Sequence, residues 1–79
     1  MEQELEQIYE ILEDVIPGED FRMSDSLVDD NILDSFAILT LVSELEDAFD
    51  IMISPAELVP ANFNSAQALA EMVVRLQES

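Results

Sequence analysis

The sequence predicts an all-α fold, a small four-helix bundle with three longer helices, one short third helix and a long first loop. Three observations predict it. Apolar residues recur at helical spacing in three separate stretches. Clusters of Pro, Gly, Asn, Asp and Ser between those stretches stop one helix and start the next. The chain is 49% hydrophobic, enough to build a core despite a formal charge of −17 that by itself would suggest disorder. At 79 residues it reads as a single domain, residues 1–79.

In the first stretch Leu5, Ile8, Leu12, Val15 and Ile16 form a stripe flanked by Tyr9 and Ile11, while Glu2, Glu4, Glu6, Glu10, Glu13 and Asp14 take most other positions. This is an amphipathic helix, stopped by Pro17-Gly18. From Gly18 to Leu33 the chain reads as a long loop pinned to the core by Phe21, Met23, Leu27, Val28, Ile32 and Leu33, and loops of this length are usually functional. Asp34 is a good N-cap for a second helix to about Phe49, its carboxylate accepting from the first backbone N–H groups. On a wheel of 100° per residue Ile38, Leu41, Val42, Leu45 and Phe49 form the buried side. Phe36, Leu39, Thr40, Ser43, Glu46 and Asp47 lie opposite. After Asp50 and the extended link Ile51-Met52-Ile53, Ser54-Pro55-Ala56-Glu57 predicts a short third helix with a Ser cap, a first-position Pro and a Glu closing a capping box. That helix is expected to stop before Pro60. Asn64 and Gln67 are the expected capping pair of a fourth helix, which lines one face with Ala66, Leu69, Ala70, Met72, Val73 and Leu76 and ends near Gln77.

Two Lys+Arg against nineteen Asp+Glu make nucleic acid and anionic membrane surfaces poor partners. Without Cys or His the chain has no thiolate nucleophile, imidazole base or Cys/His metal site. The acidic N-terminus does not read as a signal peptide, and no apolar run approaches the roughly 18 residues of a membrane span. A soluble, cytoplasmic protein is expected. Asp25, Asp29, Asp30 and Asp34 lack the ligand alternation of a calcium loop, so no metal site is expected. Paired-carboxylate catalysis needs a pocket that a bundle this small has little room for. Ser35 admits two readings. It is a polar first-turn residue beside an Asp cap, or it is an attachment point whose phosphodiester would face the N–H groups and positive dipole end of the helix.

The run Leu27-Val28-Asp29-Asp30-Asn31-Ile32-Leu33-Asp34-Ser35-Phe36, continued by Leu45-Glu46-Asp47-Ala48-Phe49-Asp50-Ile51, resembles the phosphopantetheine attachment region of acyl carrier proteins and of peptidyl or D-alanyl carrier proteins. The resemblance covers nearly the whole chain, including the helix order, the long first loop and a last helix preceded by Asn64-Ser65. It implies an acyl-carrier-protein-like fold and covalent 4′-phosphopantetheine, received from coenzyme A on the serine of an Asp-Ser-Leu or Asp-Ser-Phe motif. By match that serine is Ser35, with Asp34 as the cap that orients it. It further implies a non-catalytic carrier whose cargo is held as a thioester on the arm. Its partners would be a phosphopantetheinyl transferase, a loading ligase or acyltransferase, and downstream transfer enzymes, in a fatty-acid, polyketide, peptide or D-alanyl pathway. Two departures bear on the subgroup. Asn31 stands where many members have Gly, and Asn is the non-Gly residue that best tolerates left-handed backbone. Thr40 replaces a Glu common in fatty-acid carriers, and Phe36 leans towards D-alanyl or other aminoacyl carriers.

The partner face is expected at Phe36, Leu39, Thr40, Ser43, Glu46 and Asp47, with the loop folding over Phe36 and Leu39 as the other reading. Met23, Met52 and Met72 are either ordinary core or the lining of a cargo cavity. The rival from another class is a cofactor-free acidic helical interaction module, and behind it an acidic cation buffer. A monomer is expected. Carboxylate repulsion opposes compaction and is screened by ions, so added salt or millimolar magnesium should raise the melting temperature. A midpoint insensitive to both would remove repulsion as a significant term. Mild acid should help as well, provided the clustered carboxyls titrate above their ordinary range.

Overall fold

Helical spacing becomes four α-helices in the computed structural model, which describes residues 2–18 and 26–78. They are α1 (Glu2–Val15), α2 (Ser35–Phe49), α3 (Pro60–Phe63) and α4 (Ala66–Glu78), with a 3₁₀ turn at Pro55–Glu57 and no strand among the described residues. Phe21, Met23 and Asp25 lie outside the described residues.

The stripe of α1 buries Ile8, Ile11 and Leu12. Ile16 continues the last turn, donating its N–H to the Leu12 carbonyl (2.7 Å), before Pro17 and Gly18 turn the chain away. Gly18 has φ +86°, a conformation that costs a residue with a Cβ. On α2 only Leu41 and Leu45 are fully buried, and Ile38, Val42 and Phe49 are half-buried at the margins of the same stripe. The helix leaves through Asp50 in left-handed backbone, φ 53°. α4 buries Ala66, Leu69, Ala70, Met72 and Val73, and Leu76 packs beside them. α1 packs against both α4 and α2, and α3 lies on α4, so α4 is the element around which the others gather. The first loop contributes Leu27 and Leu33 to this core, both fully buried, and α3 contributes Phe63. Each such side chain contributes about 1.5–3 kcal/mol relative to an exposed one. Chain entropy cancels nearly all of that sum, and a domain of this size keeps about 3–5 kcal/mol.

Two expected starts are built differently. The capping box at Ser54 and Glu57 does not close. Ser54 makes no side-chain capping bond, the turn is 3₁₀, and the Glu57 carboxylate is drawn to a cation instead. Pro60 begins a helix rather than only ending one. Val59 before it is extended (φ −121°, ψ 148°), as a residue preceding proline must be, while Pro60 supplies the ready-set φ of a first helical position. The short helix therefore sits at Pro60–Phe63, after the turn. At α4 the cap is Ser65, whose hydroxyl accepts from the Ala68 N–H (3.0 Å). Gln67 instead donates to Glu71 one turn on (3.2 Å).

Glu57 ties the turn to α4. Arg75 donates to both carboxylate oxygens, Nη2 to Oε1 (2.7 Å) and Nη1 to Oε2 (3.0 Å). The Asn62 amide donates to the Glu57 carbonyl (2.8 Å) and to Oε1 (3.2 Å). The hydrogen bond from Arg75 holds the Glu57 carboxyl below the ordinary carboxylate range, against a smaller desolvation effect. A carboxyl with a depressed folded pKa contributes stability that is complete above its unfolded pKa and is lost as pH falls through the folded value. Glu57 thus works against the expected benefit of mild acid. Glu57→Gln should lower the melting temperature at neutral pH, and the gap from wild type should narrow on acidification through that lowered pKa. Melts of both proteins across pH check this, and a gap independent of pH would deny the pair its role.

Candidate functional site

Asp34, with φ −85° and ψ 179°, is outside the helix while its carboxylate is already inside the hydrogen-bond pattern. Oδ1 accepts from the Ala37 N–H (2.8 Å), and the Asp34 carbonyl accepts from the Ile38 N–H (2.9 Å). Ser35 follows as the first residue of α2 and is exposed. Helix geometry gives the N–H groups of Ser35 and Phe36 no carbonyl acceptor one turn earlier, and the first turn of α2 carries no acidic residue. An exposed hydroxyl, the positive end of a 15-residue helix and a first turn without carboxylates suit a phosphodiester ester-linked to Ser35. The donors present therefore fit the group that the sequence implies.

The loop before this corner is tightly organised. The Leu27 carbonyl accepts from both the Ile32 and Leu33 N–H groups (2.9 Å each), and the Asn31 N–H donates to the Val28 carbonyl (3.0 Å). Asn31 has φ 61°, left-handed backbone that asparagine tolerates better than other residues with a Cβ. Asn64, expected to cap α4, reaches the loop instead: its carbonyl accepts from Leu27, and its Oδ1 accepts from Val28 and Asp29. No pattern in the sequence separates Asn64 from Ser65 as the cap, since both residue types serve equally well. The acidic residues here are engaged locally. Asp30 accepts from the Ser26 hydroxyl (2.8 Å), Asp34 caps α2, and no group of three potential ligands converges among the described residues.

The outer side of α2 carries the expected partner residues. Phe36 is 79% and Leu39 63% exposed, so the described part of the loop, residues 26–33, does not cover them. Ser43 and Asp47 are exposed as well. Thr40 is half-buried, its hydroxyl donating to the Phe36 carbonyl (3.1 Å). Glu46 is half-buried and accepts from the Ile53 N–H (2.8 Å), which holds the extended link against α2. Ser43, Glu46 and Asp47 line an open acidic depression together with Glu44, a residue that the wheel reading left out. On the other side of α2, Val28, Ile38, Leu58, Val59, Pro60 and Phe63 line an apolar cleft of about 150 Å³. Of the methionines singled out in the sequence, Met72 is core and Met52 is 83% exposed, so neither lines it, and Met23 lies outside the described residues.

The family described as "Phosphopantetheine attachment site" matches residues 6–73. A D-alanyl carrier protein of Lactococcus lactis subsp. lactis (strain IL1403) is 39% identical over 70 residues, 86% of this chain and 89% of that protein. A D-alanyl carrier protein of Lactobacillus delbrueckii subsp. bulgaricus (strain ATCC BAA-365 / Lb-18) is 32% identical over 74 residues, 91% of each chain. One of Streptococcus sanguinis (strain SK36) is 31% identical over 74 residues, 92% of this chain and 94% of that protein. No solved structure matches at the same stringency.

The cap and the exposed aromatic should separate in a stability measurement. Asp34→Ala should cost about 1 kcal/mol, the usual loss at an N-cap. Phe36→Ala should stay within about 0.5 kcal/mol of wild type, as exposed positions do. Urea denaturation reads both, and a larger loss at Phe36 than at Asp34 would place the aromatic ring in the core.

Proposed function

The chain belongs to the phosphopantetheine attachment-site family of carrier proteins, and on that premise we propose that it is a D-alanyl carrier whose arm is attached to Ser35. Carriers of this family bear covalent 4′-phosphopantetheine. The arm supplies a thiol, which this Cys-free chain lacks, and the cargo rides on it as a thioester. Ser35 Oγ forms the new phosphoester bond as the bond to the adenosine half of coenzyme A breaks, and the hydroxyl proton passes to a base of the transferase. Asp34 keeps the first turn of α2 closed, and the Ser35 and Phe36 N–H groups there would be the donors to a phosphate carried on Ser35 Oγ. The chain itself catalyses nothing, acts as a monomer in the cytoplasm, and meets its transferase, loading ligase and transfer enzymes in turn. Among its described residues no helix is long and apolar enough to cross a membrane.

The cargo assignment rests on one observation, the 31–39% identity to D-alanyl carrier proteins over most of both chains. Residues support it. Thr40 and Phe36 depart from the fatty-acid pattern, and a cleft of about 150 Å³ is well under the roughly 300–1,000 Å³ of ordinary ligand pockets. A small polar cargo needs no such cavity.

On the outer side of α2, Phe36 and Leu39 form the apolar anchor of the partner face, beside Thr40. Ser43, Glu44, Glu46 and Asp47 supply the acidic rim that steers a basic partner.

Incubation with coenzyme A, magnesium and a broad-specificity phosphopantetheinyl transferase should add one arm by mass spectrometry, and Ser35→Ala should remain unmodified. The loaded protein should then accept D-alanine from a D-alanine-activating ligase and ATP, in preference to a fatty acid offered with an acyl ligase. Preferential fatty-acid loading would sink the D-alanyl assignment, and an unmodified wild type would favour the cofactor-free interaction module. In the same assay Phe36→Ala and Leu39→Ala should slow arm transfer with helicity intact, whereas Asp47→Lys should slow it most at low salt.

A further inference from the structure

We propose that Asn64, at the junction of α3 and α4, is a positioning residue for attachment of the arm: it sets the backbone of the loop that presents Ser35. The inference rests on Ser35 as the attachment point.

Three consecutive loop N–H groups converge on this one residue. Leu27 donates to the Asn64 carbonyl (2.8 Å), Val28 to Oδ1 (2.9 Å) and Asp29 to the same oxygen (3.2 Å). The amide nitrogen faces Asp29 Oδ2 at a weak 3.4 Å. The side chain is available for this because Ser65, not Asn64, caps α4. The effect passes forward through Leu27, whose carbonyl receives the Ile32 and Leu33 N–H groups. Leu33 is buried and directly precedes Asp34 and Ser35. Asn64 thus fixes residues 27–29 in the later part of the loop, and the Leu27 carbonyl fixes its exit beside Asp34 and Ser35. Asn64 makes no contact with Ser35 and takes no part in the bond made there; it holds the loop in the conformation that a transferase meets.

A preset loop raises the fraction of molecules competent to bind, and losing it raises the apparent dissociation constant, which is the intrinsic one divided by that fraction. The signature is a KM effect with kcat nearly unchanged. With a net hydrogen bond worth about a factor of five, Asn64→Ala should raise the transferase KM for the apo protein by up to about fivefold. Asn64→Asp keeps the accepting oxygen and places a carboxylate beside Asp29, so it should regain most of the loss at high salt and less at low salt. Amide exchange should quicken at Val28 and Asp29 in Asn64→Ala while the amides of α1 and α4 stay protected. A purely stabilising residue would lower the melting temperature and leave KM alone at temperatures where the variants are folded.

The experiment is steady-state arm transfer to the full chain with coenzyme A and magnesium, run beside Ser35→Ala. Wild-type KM in folded Asn64→Ala, with Ser35→Ala unmodified, overturns the inference and spares the attachment reading. Modification of Ser35→Ala overturns both. Asn64→Asp as impaired at high salt as Asn64→Ala also overturns it, since the accepting oxygen would then be irrelevant. Should truncation unfold the chain, Asn64→Gln, which moves the amide by one methylene, is expected to raise KM, and a wild-type KM there counts against the inference equally.

Discussion

Nineteen acidic residues and two arginines in a chain of 79 leave almost no cations for the carboxylates to pair with. The polar constraints of the fold therefore run from side-chain oxygens to backbone N–H groups. Asp34 closes the start of α2, Glu46 catches Ile53 after its end, Ser65 starts α4, and Asn64 gathers the first loop. Each of these bonds sits where the chain changes direction. The core holds the helices together, and these acceptors decide where each helix begins and how the connections lie. Among the described residues Glu57 uses an arginine, and it does so beside a 3₁₀ turn and a four-residue helix, elements too short to make many hydrogen bonds of their own.

The corner at Asp34 and Ser35, the proposed attachment point, follows from the same constraint. An unpaired carboxylate inside the first turn of α2 would compete with a bound phosphate for the helix N–H groups. The sequence puts its one carboxylate there outside the helix, at the cap, and follows it with Ser, Phe and Ala. The acidic residues that do belong to α2 lie further along, around the depression beside Ser43. Apart from the Asp34 cap, the acidic residues of this stretch are thus kept out of the first turn and gathered further along α2. Phe36 and Leu39 lie on the same exposed side, where an apolar contact can hold what charge has steered.

The legible parts of the chain were those governed by local rules. The helical spacing of α1, α2 and α4 and the cap at Asp34 depend on residues a few positions apart, and Asn31 was the natural substitute for glycine in a left-handed turn. At Ser35 the local rules left two readings open, a first-turn polar residue or an attachment point, and only the resemblance of the surrounding run to carrier proteins favoured the second. What was not legible depended on partners distant in sequence. Glu57 satisfies every local requirement of a capping box, but Arg75, eighteen residues away, provides the stronger attraction. Asn64 and Ser65 are equivalent caps by local rules, and the choice is made by loop N–H groups 35 and 36 residues away. Pro60 carried two meanings, stop and start, and only the packing of Phe63 into the core selects the second.

The two connections flanking α2 differ in how they are held, and that difference bears on cargo. The first loop is closed by buried Leu27 and Leu33 and by the bonds to Asn64. The second, from Ile51 to Val59, relies on Ile53, one Glu46 bond and the Glu57 clamp, and leaves Met52, Leu58 and Val59 exposed. The apolar cleft lies where the two meet, with Val28 from the first, Leu58 and Val59 from the second, and Pro60 and Phe63 from α3. Enlarging it for a long acyl chain requires one wall to move. The first wall is the frame of the attachment serine and the second is anchored to α4 through Arg75. A carrier braced on both sides in this way suits a cargo that stays outside the bundle on its arm, and D-alanine is small and polar enough to do so.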